Sequence, residues 1–231
     1  MAKIGIITGL QFEADILRAE AKRMPHGERP IVVCHGMGRA RARAAAEAAA
    51  AEGATALLSF GIAAGLDPRL EAGDVIAAAT IHDGPATLAG DTAWTARLHE
   101  GYKDALRITR GIIVRSDVII GTALEKTNAF KATGASAADM ESYGVAEAAA
   151  ALNFPFAALR AIADTASDDL PPTAMSAATP DGRISMMKSA FGALTHPGET
   201  PALMALGQRT SAARQSLKLL ARLGLTRRFF V

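Results

Sequence analysis

The 231-residue chain has little of several features that would narrow its chemistry at once. Its single cysteine, Cys34, excludes an intrachain disulfide and any zinc site built on paired cysteines. No two histidines have the i, i+4 spacing of a helical metal site; they are His26, His35, His82, His99 and His196. Charged residues interrupt every apolar run before it reaches the length of a membrane span, and the first residues lack the pattern of a signal peptide. We therefore expect a cytoplasmic protein without a metal site.

The chain also has little net charge, since its formal net charge is only +2. The chain after Glu199 nevertheless holds six basic residues and no acidic one, so this tail carries +6 and the preceding part carries −4. Arg214, Lys218 and Arg222 recur at i, i+4 and i+8, which predicts a cationic stripe on a basic C-terminal helix at about 202–231.

Two interpretations of this helix stay open. It could be a solvated helix that packs on the domain through Leu217, Leu220 and Leu223, or an interfacial helix that docks on anionic lipid. The second would make the protein peripherally membrane-associated. Nucleic acid is not expected as a partner, because the rest of the chain is acidic and the tail has no base-reading context.

Aromatic residues make up only 5% of the chain, but 50% of it is hydrophobic, which is ample for a core. Short apolar runs alternate with segments of helical periodicity. The predicted strands are Lys3–Thr8, Ile31–Cys34, Ala56–Phe60, Val75–Ile81, Gly111–Val114, Ser136–Asp139 and Phe156–Ile162. The predicted helices are Phe12–Arg23, Arg39–Ala51, Ala123–Lys131, Tyr143–Leu152, Ile184–Leu194 and Ala202–Leu223. This alternation predicts an α/β fold with a largely parallel, buried sheet, and the proline-rich stretch Asp168–Gly182 predicts a loop over a site.

Polar clusters follow several of the predicted strands, where the ligands of parallel sheets usually bind. They are Gln11–Glu13, His35–Gly38, Asp139–Glu141 and Asp164.

Each carboxylate in these clusters has a structural interpretation beside a functional one. Asp139 and, less well, Glu141 could cap a helix start and complement its dipole. Glu13 could be a first-turn glutamate that complements the N-terminus of its helix, and Asp164 could cap a turn. Alternatively, Glu13 is a general base, and Asp164 is an acid or base whose pKa is raised by poor solvation. Glu141 beside Met140 would offer a sugar an acceptor for two adjacent hydroxyls and an apolar surface.

Glycine-rich segments follow the second and third predicted strands at His35–Gly38 and Gly61–Gly65. We interpret both as turns that could cradle a phosphate or a ribose. Neither matches the P-loop or the GxGxxG fingerprint, so a nucleoside triphosphate or dinucleotide site is disfavoured.

Read together, these segments resemble the purine nucleoside phosphorylase/nucleosidase superfamily, and most broadly its 5′-methylthioadenosine/S-adenosylhomocysteine nucleosidases. The matching segments are KIGIITGLQFEADIL (3–17), HGMGRARA (35–42), SFGIAAGLDPRLEAGDVI (59–76), SDVIIG (116–121) and ADMESYGVAEAAAALNFPFAALRAIADTASDD (138–169). SFGIAAGLDP, the DLPP at 169–172 and the basic C-terminus look most like the hopanoid-associated phosphorylase branch. The resemblance implies a single three-layer domain over residues 1–231, with a mostly parallel mixed sheet flanked by helices, and a homo-oligomer.

The resemblance also implies roles for the carboxylates. Glu13 matches the glutamate that activates the attacking water. Met140 and Glu141 match the pair that holds the ribose, with Glu141 accepting from the 2′ and 3′ hydroxyls. Asp164 matches the aspartate that protonates, or hydrogen-bonds to, N7 of the leaving purine.

Further positions match with other roles. Leu10 falls on a residue that lines the 5′-substituent pocket, and Ile119 stands where the methylthioadenosine enzymes carry a purine-stacking Phe. Gly61 and Asp117 fall on matching loops. Ser59 stands where members that use phosphate often carry Arg.

The function expected from the resemblance is cleavage of the N-glycosidic bond of a 5′-modified adenosine, with adenosylhopane as the substrate of the hopanoid branch. Water is favoured as the nucleophile over phosphate, although Arg39 or Arg115 could contact phosphate from another direction. No cofactor is expected. The alternatives are a housekeeping 5′-methylthioadenosine/S-adenosylhomocysteine nucleosidase and a non-catalytic nucleoside-binding protein on the same fold.

Overall fold

The computed structural model describes residues 3–177 and 197–226. Within them the strands are β1 (Ile4–Thr8), β2 (Ile31–Cys34), β3 (Ala56–Gly65), β4 (Val75–Asp83), β5 (Ala86–Ala89), β6 (Ile108–Arg115), β7 (Ala137–Asp139) and β8 (Phe156–Asp164). The helices are α1 (Gln11–Ala21), α2 (Arg39–Ala51), α3 (Thr92–Tyr102), α4 (Ala123–Thr133), α5 (Ser142–Leu152), α6 (Pro172–Ala177) and α7 (Thr200–Thr226). The predicted helix Ile184–Leu194 lies outside the described residues.

The eight strands form one mixed sheet in which parallel pairs predominate. β1 pairs in parallel with β2 and β3, β3 with β8, and β6 with β4 and β7. The antiparallel pairs are β3 with β7, β4 with β5, and β4 with β8. Because β3, β8, β4, β6 and β7 pair in a closed circuit, the middle of the sheet curls into a barrel-like ring.

Helices cover both faces of this sheet, because alternate strand residues point to opposite sides. On one face Phe60 and Leu159 pack with residues of α1, α3 and α7. On the other, Leu57 and Ile162 pack with the alanines of α2 and with α5. The prediction of an α/β fold with a central, mostly parallel mixed sheet flanked by helices is confirmed.

The glycine-rich segment after the third predicted strand is not a turn, and that prediction is wrong. Gly61–Gly65 continues β3 and pairs with both β8 and β7. The glycines are explained by close packing instead. A Cβ at Gly65 would lie 2.9 Å from Ile162 Cγ2, and one at Gly61 would lie 2.5 Å from Glu13 Oε1.

Three of these strands and helices were not predicted from the sequence: α3, β5 and α6. The helix α6 begins at Pro172, inside the stretch Asp168–Gly182 that was predicted to be a loop, because proline is tolerated at the first position of a helix. α3 begins at an Asp91 cap and buries Trp94, Leu98 and Tyr102, whose i, i+4, i+8 spacing is a helical signal. The hairpin between β4 and β5 turns through the two residues Gly84 and Pro85. Both α3 and β5 lie in a stretch whose short apolar runs do not mark a buried strand.

The C-terminal helix α7 packs on the core through its apolar face. Leu217 and Leu220 are fully buried, and the Tyr102 hydroxyl donates to the Leu220 carbonyl over 2.8 Å. Arg214 lies over the ring of Phe12, at 4.2 Å from its centroid. The leucine face of α7 therefore packs on the domain, as the first interpretation of this helix expected. Contact of its basic stripe with lipid stays a prediction.

Within residues 3–177 and 197–226, none of the helices has both the length and the hydropathy needed to cross a membrane.

Candidate functional site

A cavity of about 230 Å³ opens where β1, β3, β7 and β8 end. Six of the predicted site residues line it: Leu10, Glu13, Ile119, Met140, Glu141 and Asp164. Residues from four segments distant in sequence thus meet at one edge of the sheet, as the clusters after the strands predicted.

Glu13 lies in the first turn of α1 and is almost completely buried. Its Oε2 accepts hydrogen bonds from the backbone N–H groups of Gly9 at 3.2 Å and Leu10 at 3.0 Å, and its Oε1 accepts from Ile62 at 2.9 Å. Burial raises the pKa of Glu13, while Arg160 and these three backbone donors oppose the rise. The carboxylate is therefore both a helix cap and a fixed group in the cavity wall.

Glu141 immediately precedes α5 and lines the same cavity as Glu13. Its Oε1 accepts from the backbone N–H of Gly38 at 3.1 Å, and its Oε2 lies 3.7 Å from Arg160 Nη2. Burial raises its pKa to about 7, Arg160 opposes this rise, and Asp139 and Glu13 add to it. The turn at His35–Gly38 therefore holds the side chain that the resemblance assigns to ribose.

Arg160 joins these carboxylates and was missed by the sequence analysis. Its guanidinium is buried; Nε pairs with Asp139 Oδ2 at 2.6 Å and Nη2 donates to Ser59 Oγ at 2.7 Å. An arginine inside the apolar strand FAALRAIAD is the signal that could have found it, because such a charge needs a buried partner. Asp139 also accepts from the Ser142 N–H, as its capping interpretation predicted.

Asp164 ends β8 and lines the same cavity, and its side chain is 10% exposed. It forms an ion pair with Lys126 Nζ, whose side chain is completely buried. Burial raises the pKa of Asp164, Lys126 opposes the rise, Asp168 adds to it, and Arg209 opposes it. A carboxyl whose pKa is raised more by burial than it is lowered by neighbouring cations can hold a proton at the cavity wall.

Two predicted residues do not line the cavity. Asp117 is exposed and pairs with Arg115. Gly61 lies in β3 behind the wall, where its missing Cβ leaves room for Glu13 and Arg160.

The remaining walls are mostly apolar. The cavity is lined by the apolar side chains of Met37, Ile62, Leu170, Met175 and Leu206. Val118 and Ile119 also line it and are exposed. Among the described residues, no cluster of three or more His, Cys, Asp or Glu side chains is arranged to hold a metal ion.

The tight fit around Gly61 gives a testable prediction. Gly61→Ala would place a methyl group against Arg160 Nη1 and 2.5 Å from Glu13 Oε1. We expect it to lower the free energy of unfolding by about 1–3 kcal/mol, as overpacking does. Gly207→Ala, at a helical position with open space around it, is the control and should not destabilise the protein. Equal denaturation midpoints for wild type and Gly61→Ala would contradict the packing described.

The raised pKa of Glu141 predicts a dependence of stability on pH. Its pKa rises from 4.5 to about 7 in the folded protein, so in that window the folded state keeps a proton that the unfolded chain has released. The free energy of unfolding contributed by this group therefore falls as the pH rises through the window. Urea denaturation should show wild type losing stability relative to Glu141→Gln from about pH 4.5 to 7. A difference that is independent of pH would contradict it.

Comparison with known proteins agrees with the fold. A sequence profile described as the phosphorylase superfamily matches residues 3–180. The 5′-methylthioadenosine/S-adenosylhomocysteine nucleosidase of Campylobacter jejuni superposes with a TM-score of 0.75 at 18% identity, covering 100% of both chains. The futalosine hydrolase of Helicobacter pylori gives 0.69 at 17% identity, covering 95% of this chain and 97% of its own.

A third structure, the nucleosidase of Colwellia psychrerythraea in complex with adenine, gives a TM-score of 0.68 at 19% identity and covers 97% of this chain and 95% of its own. At such identities the likeness shows a shared fold. The comparison with curated protein sequences gave no match.

Proposed function

Because the chain belongs to the phosphorylase superfamily, we propose that it hydrolyses the N-glycosidic bond of a 5′-modified adenosine and releases adenine. The observation that carries the proposal is one cavity lined by the carboxyl groups of Glu13, Glu141 and Asp164. Breaking this bond develops positive charge on the sugar and negative charge on the base. It requires an acid for the base, a base for water, and a group that orients the sugar.

Asp164 is assigned as the acid. Its raised pKa favours the protonated form, and the proton can pass to N7 of the purine as the C–N bond breaks. Protonation of N7 removes the negative charge that would otherwise build up on the leaving adenine.

Glu13 is assigned as the base that activates water. Its carboxylate is fixed by three backbone donors, so it needs little reorganisation when the reaction begins. Its raised pKa makes it a better proton acceptor than an exposed glutamate.

Glu141 and Met140 are assigned to the ribose. Glu141 already accepts from Gly38 through Oε1, and a carboxylate has lone pairs left for the two adjacent sugar hydroxyls. Met140 supplies an apolar surface beside it.

The charges around the cavity favour water over phosphate as the nucleophile. Arg160 is the cation beside Glu13, and it is already compensated by Asp139 and lies near Glu141. A phosphate dianion would therefore meet carboxylates in excess of positive charge.

The two arginines considered for phosphate are engaged elsewhere. Arg39 binds Glu147 and Asp83, and Arg115 binds Asp83 and Asp117. Neither lines the cavity. Water as co-substrate also means that the proposed reaction needs no cofactor.

The 5′ substituent is proposed to be apolar and large, with adenosylhopane as the leading substrate. Leu10, Met175 and Leu206 line the cavity, and Val118 is 69% exposed beside it, so apolar surface continues outwards. A lipid-borne substrate would also suit the basic stripe of α7. The second candidate is a 5′-methylthioadenosine/S-adenosylhomocysteine nucleosidase, which the shared fold with the Campylobacter enzyme favours.

Release of adenine, followed by chromatography with and without phosphate, tests the proposal. Purified protein is offered adenosylhopane and 5′-methylthioadenosine in parallel. We expect adenine at a rate that does not depend on phosphate, with adenosylhopane the better substrate. Rapid turnover of 5′-methylthioadenosine alone would replace the hopanoid assignment by the second candidate. Tight binding of both compounds without adenine release would indicate a non-catalytic nucleoside-binding protein.

A further inference from the structure

Lys126 is a buried cation in contact with the proposed acid, and nothing in the sequence patterns assigned it a role. Its side chain is completely inaccessible to solvent. Its Nζ donates to the carbonyl oxygens of Thr165 at 3.0 Å and Asp168 at 2.9 Å, and it forms the ion pair with Asp164 Oδ1. Two donors of the ammonium therefore go to backbone carbonyls, and the carboxylate of Asp164 is held beside it by opposite charge.

The start of α4 is built to hold this lysine in place. Thr122 and Glu125 form a reciprocal capping box at the N-terminus of the helix, and Glu125 immediately precedes Lys126. The Ala123 N–H in the same turn donates to Asp169 Oδ1 at 2.8 Å. The first turn of α4 and the segment after β8 are therefore tied together on either side of the buried ammonium.

We propose that Lys126 is a positioning residue for the reaction: its ammonium fixes Oδ1 of Asp164 and leaves Oδ2 as the oxygen that meets N7 of the purine. This rests on the proposed function. Oδ1 is fully buried, so the exposed tenth of the Asp164 side chain lies away from it. Among the described residues, the ion pair with Lys126 is the contact that sets the orientation of the Asp164 side chain.

The same contact sets the acid strength of Asp164. Burial raises its pKa and the Lys126 ammonium lowers it. The other charged groups facing Asp164 are Asp168, on the segment after β8, and Arg209, on α7, which pair with each other at 2.8 Å. Their effects on the pKa of Asp164 are opposed, so Lys126 is the cation whose charge is directed at this carboxyl.

The proposed step needs no reactant besides the nucleoside and water. The Oδ2–H proton of Asp164 passes to N7, and the electrons of the C–N bond go to the adenine. Water gives its oxygen to the anomeric carbon and a proton to Glu13. The Asp164 carboxylate that remains is stabilised by the ammonium of Lys126, and the two side chains exchange their protons with solvent before the next turnover.

The test compares wild type with Lys126→Met, which keeps the length of the side chain and removes its charge. Removing a neighbouring cation raises a carboxyl pKa. We therefore expect carboxyl ¹³C NMR, with the Asp164 signal assigned through Asp164→Asn, to show a higher pKa for Asp164 in Lys126→Met. The alkaline limb of kcat/KM should move to higher pH in parallel, and kcat should fall by at least about tenfold while KM changes little.

Two further variants separate positioning from support of the fold. Lys131→Met removes an exposed lysine from the same helix and should change neither the NMR titration nor kcat. Lys126→Arg keeps the charge and should restore most of the activity lost in Lys126→Met. If Lys126→Met does not fold, it is replaced by Lys126→Gln, which is also uncharged but keeps a donor for the two carbonyls.

An unchanged Asp164 pKa in a folded neutral variant would overturn the proposal, and so would a fall in kcat with no shift of the alkaline limb. The NMR titration does not depend on turnover. A wild type that releases no adenine would therefore contradict the proposed function, while the pairing of Lys126 with Asp164 would still be decided by the titration.

Discussion

Asp164→Asn should lower the rate of adenine release by about 10²–10⁴-fold, the usual contribution of a general acid. The amide cannot give up a proton to N7, but it is nearly the same size as the carboxyl group and its oxygen can still accept from Lys126. Single-turnover measurement of adenine release, with unfolding by urea followed in parallel, separates lost chemistry from lost structure.

Asp169→Asn is the matched control for this variant. Asp169 lies on the same segment, is exposed, and accepts from the Ala123 N–H through one oxygen that the amide retains. It should keep wild-type turnover. If Asp164→Asn also kept near-wild-type turnover, Asp164 would not be the acid.

Glu13→Gln should lower kcat by a similar factor, about 10²–10⁴-fold. The amide has one acceptor oxygen in place of two and cannot take a proton from water. Because the carboxylate accepts three backbone hydrogen bonds, we also expect some loss of stability, and urea denaturation would quantify it.

Glu20→Gln makes the same change on the same helix, outside the cavity, and serves as the control. Its side chain pairs with Arg23. We expect unchanged turnover there. A Glu13→Gln variant with normal kcat would show that Glu13 serves only to complement the N-terminus of α1, which was its structural interpretation.

The three carboxylates could be predicted from the sequence because each follows a strand of a parallel sheet, where polar residues converge. Glu13, Glu141 and Asp164 all lie in the cavity for that reason. Their partners could not be predicted in the same way. Lys126 lies on a helix of mixed polar and apolar residues in which no pattern marks it as buried, and only the fold brings it against Asp164.

Arg160 and Gly61 illustrate the same limit. The charge of Arg160 in an apolar strand signals a buried ion pair, but its partner Asp139 belongs to another strand. Gly61 suggested a turn because glycine often marks one, whereas the fold uses it to admit two side chains behind the cavity. Close packing between distant segments leaves little trace in local sequence.

The central claim is that water, and not phosphate, attacks the nucleoside. Identification of the sugar product in phosphate buffer tests this most directly, by mass spectrometry of the reaction mixture after adenine release. The carboxylate excess around Arg160 predicts a free reducing sugar and no sugar 1-phosphate. A stoichiometric yield of the 1-phosphate would contradict the account.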